Sequence, residues 1–291
     1  MLRLGVLFET FGRVDCPRAC SMSQKSGNLM TATDAIIETQ GLGKSFKGFW
    51  AVKNVDLRVR RGTVHALIGP NGAGKTTCFN LITKFLVPSE GTIRFNGRDI
   101  TALKPADVAR LGLVRSFQIS ATFPHLTVME NVRVALQRPL GTSFQFWRSE
   151  SSLDGLNDRA MALLADVGLE TYSELPAVGL SYGRKRALEI ATTLALEPEM
   201  LLLDEPMAGM GREDIARVSQ LIKRVAKNRT VLMVEHNLNV VADLSDTITV
   251  LARGEILAEG DYATVSRNPQ VVEAYMGTGA GTPAGASAAD A

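Results

Sequence analysis

The chain has 291 residues, 45% of them hydrophobic and 21% charged, with a formal net charge of +2 at pH 7. That length suits one large domain or two small ones, and the near-balanced charge gives no electrostatic case for nucleic acid or an acidic surface as partner. Cys16, Cys20 and Cys78 form neither a disulfide framework nor a zinc spacing, which suits a reducing compartment. No run of eighteen apolar residues occurs, so no membrane-spanning helix is expected.

Residues 1–33 start faintly like a signal sequence, but Glu9 cuts the apolar run short. They read as a disordered or misassigned extension, with Met22 and Met30 as alternative starts to Met1. Ala35–Thr39 reads as a short strand. Val55, Leu57 and Val59 alternate with Asp56, Arg58 and Arg60, the pattern of a half-buried strand. Thr63–Ile68 reads as a buried strand and Thr77–Phe85 as a helix, with Phe79, Ile82 and Leu86 at helical spacing. Gly91–Gly97 is a further strand, Pro105–Leu111 a short helix stopped by Gly112, and Leu113–Gln118 a strand.

Thr127 and Glu130 form a capping box that opens a helix to about Gln137. The stretch from Pro139 to Gly155, with Phe144, Phe146 and Trp147, has no assignable pattern. Ala160, Leu163, Leu164 and Val167 mark a helix stopped by Gly168. After a helix over Ser181–Leu196, short apolar strands (Met200–Leu203, Thr230–Val234, Thr247–Leu251) alternate with helices (Ile215–Val225, Leu238–Leu244). Gly254 turns into Glu255–Ala258, and Asp261–Val265 and Pro269–Met276 look helical. Such uninterrupted apolar strands point to a parallel sheet covered on both faces. The Gly/Ala/Ser/Thr tail 278–291 reads as flexible.

Two motifs carry chemistry on their own. Gly69-Pro70-Asn71-Gly72-Ala73-Gly74-Lys75-Thr76 fits the phosphate-binding P-loop, with a strand before it and a helix after it. Its glycines let backbone N–H groups turn around phosphate oxygens at a helix N-terminus. Lys75 is expected to reach the β- and γ-phosphates, and the Thr76 hydroxyl, followed by Thr77, to ligate Mg²⁺. Leu201-Leu202-Leu203-Asp204-Glu205 is an apolar strand ending in two carboxylates. Asp204 is placed to hold Mg²⁺ and Glu205 to orient and deprotonate a water.

The order of P-loop, Gln118, Leu180-Ser181-Tyr182-Gly183, Asp204-Glu205 and His236 resembles the ATP-binding subunits of ABC transporters, over about residues 35–277. The resemblance implies an α/β fold: a P-loop NTPase core with an N-terminal antiparallel β subdomain and a helical subdomain inserted at about 119–180, the whole cassette spanning 34–277. It implies that Phe46 stacks on adenine, that Gln118 touches Mg²⁺ or the attacking water, and that His236 bonds the γ-phosphate. Ser181 and Gly183 would bind the γ-phosphate held by a second subunit. Tyr182 and Arg184 depart from the commonest signature, and Gly211 stands where many relatives carry Asp. His65 reads as a packed strand residue and His125 as a solvated loop residue.

The signature with Tyr182, the run Val234-Glu235-His236-Asn237 and the ending Asn268–Gly277 resemble the branched-chain amino-acid importer type; urea or short-amide importers and lipopolysaccharide exporters are the alternatives. The resemblance implies ATP and Mg²⁺ as cofactors, a second ATPase subunit, two membrane permeases, indirectly a periplasmic binding protein, and a place on the cytoplasmic face of the inner membrane. A soluble ABC ATPase acting on ribosomes or DNA would need a second P-loop, a long coiled coil or a zinc hook, none of which is present. A non-catalytic subunit is opposed by the intact Lys75, Asp204, Glu205 and His236.

Overall fold

The computed structural model describes residues 34–116, 122–138 and 155–276. The extension 1–33, Gln118, the stretch with Phe144, Phe146 and Trp147, and the tail from Gly277 lie outside them. The strands are β1 (Ala35–Phe46), β2 (Phe49–Val55), β3 (Arg58–Arg60), β4 (Val64–Ile68), β5 (Glu90–Phe95), β6 (Arg98–Asp99), β7 (Leu113–Ser116), β8 (Met200–Asp204), β9 (Thr230–Val234), β10 (Thr247–Ala252) and β11 (Glu255–Gly260). The helices are α1 (Lys75–Ile82), α2 (Pro105–Arg110), α3 (Val128–Leu136), α4 (Asn157–Val167), α5 (Tyr182–Leu194), α6 (Arg212–Ala226), α7 (Leu238–Leu244), α8 (Tyr262–Ser266) and α9 (Pro269–Met276).

The first sheet is antiparallel, in the order β2-β1-β5-β6, with β3 on the N-terminal half of β1. Two expectations are corrected here. β1 does not stop at Thr39: Leu42 and Gly43 are buried as well, and the strand continues into a hairpin. That hairpin turns at Lys47–Gly48, both with positive φ (50° and 88°), the backbone that matches strand twist in a two-residue turn. The single strand expected over Val55–Arg60 is interrupted. Val55, Leu57 and Val59 are buried and Asp56, Arg58 and Arg60 exposed, as the alternation requires. Side chains replace the ladder at the break. Thr39 Oγ1 accepts from Leu57 N–H and donates to the Val55 carbonyl, both at 2.8 Å, and Asp56 accepts from Gly41 N–H at 2.6 Å.

The second sheet has the order β11-β10-β4-β9-β8-β7. Its pairs are parallel except the β10–β11 hairpin. Both faces are covered, which is why β4, β8 and β9 are buried at every position. Ala66 and Ile68 of β4 point to a core shared with α3 to α7. Leu67 points to the other core, with Phe79 and Ile82 of α1 and Ile37 and Phe95 of the first sheet. Between β7 and α5, α3 and α4 pack against α5. Thr127 and Glu130 make both bonds of the capping box, at 3.1 and 2.6 Å. α1 begins at Lys75, two residues earlier than the apolar spacing suggests, and ends at Ile82; Phe85 is beyond it and exposed.

His65 sits in the middle of this sheet. It is 1% exposed, and its Nε2 lies 2.8 Å from Thr249 Oγ1, which donates to Glu259 at 2.7 Å. Burial, aided by the charge of Arg60, lowers its pKa from 6.5 to about 4. The unfolded chain therefore takes up this proton first. Stability falls as pH drops from 6.5 towards 4 and then levels off. Unfolding free energy is expected to be about 2 kcal/mol lower at pH 5 than at pH 7 through this group alone. Urea titrations at the two pH values check this: His65→Gln should lose that part of the difference.

Candidate functional site

The loop Gly69–Gly74 joins the end of β4 to α1 and is held from two sides. Gly69 has φ 151°, and a Cβ there would lie 2.1 Å from the Leu251 carbonyl oxygen at the end of β10. Gly74 has φ 100°, and its Cβ would lie 2.4 Å from the Ala51 carbonyl oxygen of β2. Only glycine fits either position. The β10–β11 turn stitches the arrangement together. Gly254 N–H donates to the Ala73 carbonyl at 3.0 Å, and the Gly254 carbonyl accepts from Lys53 N–H at 2.8 Å. Lys75 is buried and its Nζ donates to the carbonyls of Gly69 and Pro70, at 2.7 and 3.0 Å. Burial lowers its pKa, and the negative charge of Glu205 opposes that shift. Asn71, Gly72 and Thr76 are exposed, and Pro70 and Thr77 half-buried. Cys78, fully buried one turn on, has its thiol pushed up to about 12 and is chemically quiet.

Strand register brings the other motifs to this loop. Leu67 of β4 and Asp204 of β8 both pair with Val234 of β9, so the three strands end level. Asp204 closes β8, 4% exposed. Glu205 follows with φ 43°, a left-handed backbone for a non-glycine residue, and donates its N–H to the Val234 carbonyl at 2.9 Å. His236 lies two residues past β9 with its side chain exposed.

Three supporting residues escaped the sequence reading. Glu235 is fully buried, and its carboxylate accepts the N–H groups of Met207 (3.0 Å), His236 (3.1 Å) and Asn237 (3.4 Å). It ties the loop after Glu205 to the turn that presents His236. Arg115 of β7 is ion-paired with Asp204 and donates to Asn80 Oδ1 of α1 at 2.5 Å. Arg186 of α5 pairs with Glu189 at 2.7 Å and reaches the Asp204 carbonyl at 3.4 Å. For Arg115 and Glu235 the signal is a charged residue within or closing an apolar run; Arg186, which ends the basic stretch Arg184-Lys185-Arg186, carries no such signal.

Phe46 ends β1 with 44% exposure, and the Lys44 ammonium lies 5.4 Å from its ring centroid. Trp50 packs towards Gly43 instead, while Phe49 is 70% exposed. Ser181 is the N-cap of α5, yet its side chain makes no capping bond and it is exposed. Gly183 is buried, and a Cβ would lie 2.5 Å from Asp214 of α6, so close helix packing by itself demands glycine there. Gly211, the N-cap of α6, has an ordinary extended backbone with open space around its Cα. His125 is exposed. A cavity of about 550 Å³ is lined by Pro70–Ala73, the β10–β11 hairpin and α9. Burial among these elements pushes the Tyr275 phenol up to about 12, against a smaller opposing effect of the Gly69 backbone.

A family model described as ABC transporter matches residues 52–208. The chain belongs to the ABC transporter family of ATP-binding cassettes. A second model, described as the branched-chain amino acid ATP-binding cassette transporter, matches residues 255–284. The high-affinity branched-chain amino acid transport ATP-binding protein LivG of Salmonella typhimurium is 38% identical over 252 residues, covering 83% of this chain and 98% of LivG. The protein BraF of Pseudomonas aeruginosa, with the same description, is 39% identical over the same lengths. The crystal structure of the ADP conformation of MJ1267, an ATP-binding cassette of an ABC transporter, superposes with a TM-score of 0.75 at 33% identity, covering 84% of this chain and all of that one. A dimeric post-hydrolysis structure of the cassette MJ0796 bound to ADP and Pi gives 0.64 at 26% identity, covering 78% and 98%. The cassette is thus an ATP-hydrolysing subunit of a transport system.

Removing the Glu235 carboxylate leaves three N–H groups without their acceptor. Glu235→Ala is expected to lower unfolding free energy by about 3 kcal/mol, and Glu235→Gln, which keeps one oxygen in place, by about 1 kcal/mol. Urea unfolding monitored by circular dichroism checks both.

Proposed function

We propose that this chain binds and hydrolyses ATP to power an importer of branched-chain or other small amino acids. The observation that carries the ATPase half is the level ending of β4, β9 and β8, which sets the P-loop, Asp204, Glu205 and the turn bearing His236 side by side. The substrate half is supported by the LivG and BraF relatives and by the model matched at residues 255–284.

In this reading residues 34–277 form the working cassette. The backbone N–H groups of Gly69 to Thr77 cradle the phosphates, and Phe46 stacks on the adenine. Lys75 Nζ, which bonds the loop's own carbonyls, exchanges those weak acceptors for charged phosphate oxygens. The Thr76 hydroxyl, the Asp204 carboxylate and the Gln118 amide are hard oxygen donors of the kind Mg²⁺ prefers. Mg²⁺ bound there would offset the charge on the transferring phosphoryl group. Glu205, turned by its left-handed backbone and acting on the Lys75 ammonium, orients and deprotonates the water. His236 donates to the γ-phosphate.

Ser181, with a hydroxyl not used for capping, and the Gly183 N–H complete the site of a second cassette. Two cassettes, alike or different, then close on two nucleotides and act on two permease subunits, with a periplasmic binding protein delivering the solute. The cassette sits peripherally on the cytoplasmic face of the membrane; among the described residues no helix is long and apolar enough to cross it.

Glu205→Gln is expected to keep ATP affinity within about threefold and to cut turnover by about 10²–10⁴. Single-turnover hydrolysis in the assembled complex measures this, and undiminished turnover would remove Glu205 from the role of base. Lys75→Ala is expected to weaken ATP binding by at least about tenfold in calorimetry, through loss of a charge-assisted contact. For the solute, the complex with its permeases and binding protein, in vesicles, should take up leucine, isoleucine or valine in an ATP-dependent way. Uptake of urea or short amides instead would overturn the amino-acid reading.

A further inference from the structure

Arg115 is the third residue of β7, and its side chain is only 10% exposed. Its contacts among the described residues include three groups on two other elements. One is the Asp204 carboxylate of β8, itself 6% exposed, to which it is ion-paired. The second is Asn80 Oδ1, at 2.5 Å, and the third the Phe79 ring, whose centroid is 5.7 Å from the guanidinium carbon. Asn80 and Phe79 belong to α1, the helix that opens with Lys75 and Thr76. A cation therefore already occupies the carboxylate that the proposed function gives to a divalent metal ion. The pairing has a physical reason. A carboxylate buried at the end of an apolar strand is costly without a partner, and the planar guanidinium fork serves Asp204 and Asn80 at once.

We infer that Arg115 is a positioning residue that holds the Asp204 carboxylate and competes for it with the divalent cation that accompanies the nucleotide. This rests on the nucleotide and Mg²⁺ reading above. It has two opposite consequences. Without a divalent cation, the guanidinium shields an incoming triphosphate from the negative charge of Asp204. With one, it repels the ion and must yield part of the carboxylate. Neutralising Arg115 should therefore weaken metal-free ATP binding and raise the benefit that Mg²⁺ confers. General damage to the site would weaken both alike.

The test measures ATP affinity of the full chain by calorimetry, once in EDTA and once in Mg²⁺. The ratio of the two dissociation constants, EDTA over Mg²⁺, is expected to rise at least about tenfold in Arg115→Gln. In Arg115→Lys, which keeps the charge, it should stay within about threefold of the parent. A folded Arg115→Gln protein whose ratio is unchanged or lower overturns the inference. Should that variant fail to fold, the parent protein itself decides. With ¹⁵N-labelled arginine, and the Arg115 Nε signal assigned through Arg115→Lys, the signal should move between ATP–EDTA and ATP–Mg²⁺ samples. A signal that stays put overturns the inference. A parent chain that binds ATP under neither condition would overturn the nucleotide reading instead, so the two failures are distinct.

Discussion

Everything at the site depends on the parallel pairing of β4, β9 and β8. These strands share no local sequence; β4 and β8 are separated by more than a hundred residues of chain. Their in-register hydrogen bonds make all three end at the same level, so each following loop begins at the same edge. The P-loop leaves β4, the paired acids close β8, and His236 follows β9. Open parallel sheets bind ligands at this carboxyl edge for that reason. A slip of one residue along β9 would exchange the side chains it gives to the two cores and carry the site apart at once.

A second layer of the design is buried charge. Arg115, Arg186 and Glu235 do not belong to the phosphate loop, yet each ties together elements that carry a functional group. Glu235 gathers three N–H groups from two loops, and Arg115 joins the end of β8 to the helix that follows the loop Gly69–Gly74. Burying such groups is tolerable because each meets opposite charge or several donors. Their effect is to fix loop positions that backbone pairing alone would leave loose.

Ser181 and Gly183 have an internal packing context and, under the proposed function, a second use. Glycine at 183 is required by the approach of Asp214 from α6, a packing reason internal to this chain. Serine at 181 sits at an N-cap without using its hydroxyl there. An exposed helix start with an idle hydroxyl is what a site completed by a second subunit needs, and the MJ0796 cassette is itself a dimer in its ADP- and Pi-bound form. Under the proposed function, the P-loop of this chain is half of a catalytic unit.

The sequence by itself determined the motifs, their order and most elements. The P-loop spacing, the acids closing an apolar strand, the capping box at Thr127 and the helix over Leu238–Leu244 are local patterns, and local patterns are written in consecutive residues. So was the alternation over Val55–Arg60, which assigned the right faces. Only the tertiary structure decided that this alternation spans two strands, because β1 meets the break through side-chain bonds, the Thr39 hydroxyl with Val55 and Leu57 and the Gly41 N–H with the Asp56 carboxylate. It alone revealed the Arg115–Asp204 pair, the Glu235 clamp and the carbonyls that exclude a side chain at Gly69 and Gly74. Each is a contact between residues far apart in sequence, and neither composition nor periodicity records which distant groups the fold will bring within a few ångströms.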